Sequence, residues 1–155
     1  MRFCYRSHLV VAFTIASTCS AFAQPGPVGS VTIQVHNTFG SSVGNSLQQC
    51  TGCSYTPSPP TFVSNNTTSS PFTASAVSGG YNFTATTRYS ALKSGQEYEC
   101  QFHVPNLVGN NGSCAGMVPT PSATATNGVY PSPHCGYLIE SQSSCNYTVT
   151  FTMAP

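Results

Sequence analysis

Wherever this chain carries a regular hydrophobic pattern, the apolar residues fall on every second position, a period that suits strands and no helix. Tyr147, Val149, Phe151 and Met153 alternate with Asn146, Thr148, Thr150 and Thr152. Val31-Thr32-Ile33-Gln34-Val35-His36 repeats the pattern, and so does Phe72-Thr73-Ala74-Ser75-Ala76. The longest run puts Tyr81, Phe83, Ala85, Tyr89 and Ala91 on one face and Asn82, Thr84, Thr86, Arg88 and Ser90 on the other. Lys93-Ser94-Gly95 then reads as a turn, and Gln96–Val104 returns with Tyr98, Cys100, Phe102 and Val104 inward. Tyr81–Val104 therefore predicts a β-hairpin. Outside the N-terminal segment nothing shows the i, i+3, i+4, i+7 spacing of a helix. Thr61-Phe62-Val63 and Cys135–Ile139 read as shorter strands, and Leu47–Ser70 and Asn106–His134 as two long loop regions rich in turn formers. About six to eight strands, apolar inside and Ser/Thr/Asn outside, point to an all-β, antiparallel β-sandwich, Ig-like or similar.

The first residues have the three parts of an export signal. Arg2 and Arg6 supply positive charge, Leu9–Ala16 a short apolar core, and Ala21-Phe22-Ala23 a small-residue cleavage site. The apolar run is too short to span a bilayer. Residues 1–23 are thus read as a signal peptide, 24–30 as a flexible Pro/Gly-rich lead-in, and 31–155 as a β-sandwich domain. The expected destination is extracellular or periplasmic, with no transmembrane segment in the mature chain.

Cleavage leaves six cysteines, Cys50, Cys53, Cys100, Cys114, Cys135 and Cys145. In an oxidising compartment they predict a framework of three disulfides. Six cysteines allow 15 pairings; pairing of sequence neighbours, Cys50–Cys53, Cys100–Cys114 and Cys135–Cys145, is the first expectation. Cys50-Thr51-Gly52-Cys53 has redox spacing, but no βαβ pattern surrounds it, so a structural bridge is the better reading. Zinc held by Cys50, Cys53, His134 and Cys135 would compete with disulfide formation, and no metal or cofactor is expected.

Charge excludes several functions. Beyond residue 23 only Arg88 and Lys93 stand against Glu97, Glu99 and Glu140, a net charge of −1. Two cations cannot neutralise a run of phosphates, so nucleic acid is a poor partner. The same shortage argues against electrostatic docking on anionic membranes. The chain has no aspartate, which removes Ser-His-Asp triads, aspartic dyads and EF-hand loops. No Gly-rich phosphate loop is present.

Glu97, Glu99 and His103 share one strand face, the two glutamates about 7 Å apart. A small hydrolase using Glu97, Glu99 or Glu140 would need these groups to converge in a cleft; solvated side chains on an outer strand face are the simpler reading. His36 and His134 read as surface histidines. Five Asn-X-Ser/Thr sequons, at Asn65, Asn66, Asn82, Asn111 and Asn146, matter only in a eukaryotic secretory pathway. The leading expectation is a secreted, non-enzymatic domain binding carbohydrate or protein on a cell surface or matrix, with Tyr55, Tyr130 and Tyr137 as aromatic contributors. A secreted inhibitor or toxin-like effector is a further alternative. Export from a secreting host should yield a mature chain whose N-terminal residue is Gln24; mass spectrometry that finds residues 1–23 retained would contradict the export reading.

Overall fold

The computed structural model describes residues 29–77, 82–106, 119–143 and 145–155. The signal segment 1–23, most of the lead-in and Cys114 lie outside them. The elements are β1 (Ser30–Asn37), β2 (Val43–Thr51), β3 (Cys53–Thr56), β4 (Phe62–Val63), β5 (Thr67–Thr68), β6 (Phe72–Ala76), β7 (Phe83–Lys93), β8 (Gln96–Asn106), β9 (Ser122–Ala125), β10 (His134–Ser143) and β11 (Asn146–Ala154). There is no helix among the described residues, and so none long and apolar enough to cross a membrane.

The strands form two sheets packed as a sandwich. The first runs β10-β11-β1-β6-β3, with β5 also on β1; the second runs β4-β2-β7-β8-β9. The alternation read from sequence is the burial pattern observed. On β1 Val31, Ile33 and Val35 are buried, on β11 Tyr147, Val149, Phe151 and Met153, and on β8 Cys100, Phe102 and Val104. Their polar neighbours face out. The hairpin is present, closed by Ser94 and Gly95 with φ of 53° and 78°. Two successive left-handed residues make a turn whose twist matches the flanking strands.

The core joins the two sheets through aromatic contacts. Phe102 of β8 stacks on Phe151 of β11 with centroids 4.6 Å apart and planes at 13°, and Tyr89 of β7 lies 6.2 Å from Phe102. Beside this stack, Cys100 of β8 is bridged to Cys135 of β10. That bridge corrects the sequence-neighbour pairing for both residues. Pairing follows which strands face each other across the core, and β8 and β10 do so although 35 residues apart. Cys145 is itself disulfide-bonded and buried. Cys50–Cys53 forms as expected, and its role is structural: it clamps the corner where the chain passes from β2 in one sheet to β3 in the other. Gly52 turns that corner at φ +74°, where a Cβ would come within 2.9 Å of the Asn82 carbonyl.

The expected antiparallel-rich sandwich is observed, and three details refine it. The sandwich is antiparallel except at its centre, where β1 and β11 pair in parallel from Ser30↔Asn146 to Asn37↔Met153. No hairpin constrains these two strands, because nearly the whole chain separates them. Leu47–Ser70 contains most of β2, with β3 and β5, besides the expected short strand at β4, rather than one long loop. A bulge at Ser46 shifts the register of β2 on β7, which breaks the period-two pattern there. At the junction with the lead-in, Gly29 is buried, its carbonyl accepts the Ala76 amide, and Ser30 opens β1.

Removing the Cys100–Cys135 bridge by a paired Cys→Ala replacement should cost about 2–4 kcal/mol, read as a lower urea midpoint. An unchanged midpoint would show that the bridge does not hold the sheets. Gly95→Ala should cost about 1–2 kcal/mol, because alanine must adopt the left-handed conformation. A neutral result in the same assay would contradict the turn geometry.

Candidate functional site

The outer face of the second sheet carries an ordered row of side chains near the end capped by the β7–β8 turn. Phe62 of β4 pairs with Gly44 of β2, Gly44 with Ser90 of β7, and Ser90 with Glu99 of β8. Each of these positions has buried neighbours along its strand, so the row faces away from the core. Gly44 carries no side chain, which leaves an open floor between Phe62 and Ser90, about 10 Å apart across two strand spacings. Leu92 lies two residues beyond Ser90 on the same face, opposite Glu97. Phe62 and Leu92 are 65% and 74% exposed, although both are large and apolar.

Glu99 is the polar centre of the row. Its carboxylate accepts the Ser46 hydroxyl at 3.0 Å, accepts the Thr126 hydroxyl, and lies 3.7 Å from the Arg88 guanidinium. Arg88 also donates through Nε to Gln101 at 2.9 Å. His103 and Thr86, next along the same face, share a hydrogen bond of 3.0 Å. Lys93 places its ammonium 5.4 Å from the centroid of the Phe39 ring, which in turn packs on Tyr98 at 5.1 Å. Arg88, Lys93, Glu97 and Glu99 therefore gather on one hairpin, with their charges balanced.

The loop from β9 to β10 begins at this centre. The Thr126 amide donates to the Glu99 carbonyl at 3.2 Å, and the Asn127 side-chain amide to the Glu97 carbonyl. Further on, the Ser132 hydroxyl donates to the Val129 carbonyl at 3.1 Å. Tyr130, within this loop, is 91% exposed. Phe62 on the β4 edge, Leu92 on the β7–β8 hairpin and Tyr130 in the β9–β10 loop are thus left exposed on the elements that flank this charge-balanced cluster.

The three tyrosines read from sequence fall in different environments. Tyr130 belongs to this end. Tyr137 is half-exposed on β10, edge-on to Phe151 at 6.3 Å, beside the exposed Leu138. Tyr55 is turned toward the core: its ring meets Phe72 edge-on at 6.0 Å, and its hydroxyl lies 3.1 Å from the Gln49 carbonyl and 3.3 Å from that of Thr86. Little of Tyr55 is left to meet a partner. The glutamates do not converge either. Glu97 and Glu99 lie on the outer face of the second sheet, whereas Glu140 sits at a bulge of β10 and accepts the Thr150 hydroxyl on the outer face of the first. Glu99 also departs from the solvated state expected of it, since only 14% of its side chain is exposed. His36 is a surface histidine, its Nδ1 2.9 Å from the Thr68 hydroxyl, and His134 is exposed at the start of β10. Among the described residues no three His, Cys, Asp or Glu side chains are placed to hold a metal ion.

No protein-family model matches the chain, and no curated protein does. Among solved structures it is similar to the crystal structure of the lipid binding protein Nakanori, with a TM-score of 0.61 at 9% identity, over 84% of this chain and 73% of that one. At that identity the likeness shows the fold alone.

Three buried phenols make the fold sensitive to alkali. Burial pushes Tyr89 up from its ordinary 10.0 to about 12, against hydrogen bonding that lowers it. Burial raises Tyr55 and Tyr147 well above the usual tyrosine range as well. The folded state thus favours the neutral phenols, a contribution that is complete below the unfolded value near 10 and is lost as pH rises through 12. Stability should hold to about pH 9 and fall steeply above pH 10. Tyrosinate absorbance that develops well before unfolding would contradict the burial of these groups.

Proposed function

We propose that this chain is an exported, non-enzymatic binding domain that docks on a neutral lipid surface through Phe62, Leu92 and Tyr130. The observation that carries the reading is the exposure of three large apolar side chains, on β4, on the β7–β8 hairpin and in the loop tied to that hairpin, beside a charge-balanced cluster. A large apolar side chain left in water forgoes about 1.5–3 kcal/mol that burial would return. Such side chains suit the interfacial region of a bilayer, where the tyrosine ring and hydroxyl meet both phases. The absence of a cationic excess fits a zwitterionic surface rather than an anionic one. Similarity in fold to a lipid-binding protein is in keeping with this choice.

A carbohydrate partner is the second reading. The hydroxyl- and amide-rich outer faces and the exposed rings of Tyr130 and Tyr137 suit sugar contacts as well.

The test is co-sedimentation of the oxidised mature domain with phosphatidylcholine vesicles, beside a glycan array. Binding should vary little between low and moderate salt, and Leu92→Ala and Tyr130→Ala should each weaken it about tenfold, the equivalent of about 1.4 kcal/mol of lost burial. A blank vesicle assay with a specific glycan signal would replace the lipid reading by the carbohydrate one. Strong attenuation by salt would argue against a neutral surface.

A further inference from the structure

We infer that Glu99 is a positioning residue that fixes the Tyr130 loop against the β7–β8 hairpin, so that Tyr130 and Leu92 form one contact surface; this rests on the binding reading above. An outer-face glutamate on an ordinary strand is solvated and interchangeable. Glu99 is not: its carboxylate is held by groups from three elements, Ser46 of β2, Arg88 of β7 and Thr126 at the head of the loop.

The backbone around Glu99 serves the same arrangement. The bulge in β2 inserts Ser46 between Asn45 and Leu47, outside the regular register. A bulge re-aims the side chain it carries, and here the Ser46 hydroxyl meets one carboxylate oxygen while Thr126 takes the other. Past the four residues of β9, the loop is tied back to the hairpin by the Thr126 amide, the Thr126 hydroxyl and the Asn127 side chain, all ending on Glu97 or Glu99. Tyr130 follows four residues after Thr126. As an isolated surface ion pair, Arg88–Glu99 would contribute little to stability. Its consequence lies in where it holds the loop. Ordering the loop in the free protein removes an entropic cost that binding would otherwise carry.

The test compares Glu99→Ala, Glu99→Gln and Thr126→Val with the parent in vesicle binding, urea midpoint and amide exchange over residues 126–133. We expect Glu99→Ala and Thr126→Val to weaken binding several-fold and to speed exchange in the loop, with the urea midpoint nearly unchanged. Glu99→Gln, which keeps an acceptor for Thr126, should restore most of both. In the Tyr130→Ala background Glu99→Ala should have no further effect on binding, because Glu99 acts through that ring. Equal and additive losses in both backgrounds would overturn the inference. If the parent binds no vesicles, the lipid reading fails by itself. The positioning role is then decided by exchange: faster exchange confined to 126–133 in Glu99→Ala upholds it, and unchanged exchange refutes it.

Discussion

The contact on which the rest of this molecule depends is the one between its two sheets at β8, β10 and β11. The Phe102–Phe151 stack and the Cys100–Cys135 bridge lie side by side there, one supplying apolar burial and the other a covalent tie. Phe151 belongs to the last strand, which pairs in parallel with the first, so both ends of the described domain are drawn to the same sheet centre. Everything outside that junction is arranged around it. The hairpin reaches the far end of the sandwich because β7 and β8 are each 11 residues long, and the β9–β10 loop crosses between sheets beside it. A domain poor in charge relies on such packing, since surface ion pairs contribute little to stability in any case.

Rigidity is what gives the exposed end its meaning. Phe62, Leu92 and Tyr130 come from three separate parts of the chain, and the sheet register and the anchored loop fix where each is presented. The same architecture would present a different surface if the β2 bulge or the loop anchor were absent. The balanced charges of Arg88, Lys93, Glu97 and Glu99 are largely engaged within the protein: with each other, with Ser46, Thr126 and Gln101, or with the Phe39 ring. This end therefore offers shape and apolar area more than field.

Much of the fold was legible in the sequence, and the exceptions have physical causes. β1, β6, β7, β8 and β11 alternate strictly because each has one buried and one solvated face, and all five were readable. β2 and β10 were blurred by bulges at Ser46 and Glu140, where the parity of the pattern shifts. β5 and β9 are two and four residues long, too short to show a period, whereas β4 was read from Thr61-Phe62-Val63. The Cys50–Cys53 bridge was local and could be guessed; Cys100–Cys135 depends on which strands face each other, which no spacing encodes. At the proposed site, Tyr130 was named through the composition of its loop. Tyr55 was named on the same grounds, but its phenol is taken up by backbone carbonyls. The exposure of Leu92 and Phe62 was not read from the sequence. The available signal was parity: Leu92 is a large apolar residue on the face that Arg88 and Ser90 mark as outward.

The most direct measurement of the central claim is solution NMR of the labelled domain with zwitterionic nanodiscs that carry a paramagnetic lipid. Line broadening should be confined to amides near Phe62, Leu92 and Tyr130, with the β10 edge at Tyr137–Leu138 and the opposite end at Val77 spared. Broadening centred on β10 or on Val77, or none under conditions where the domain is folded, would contradict it.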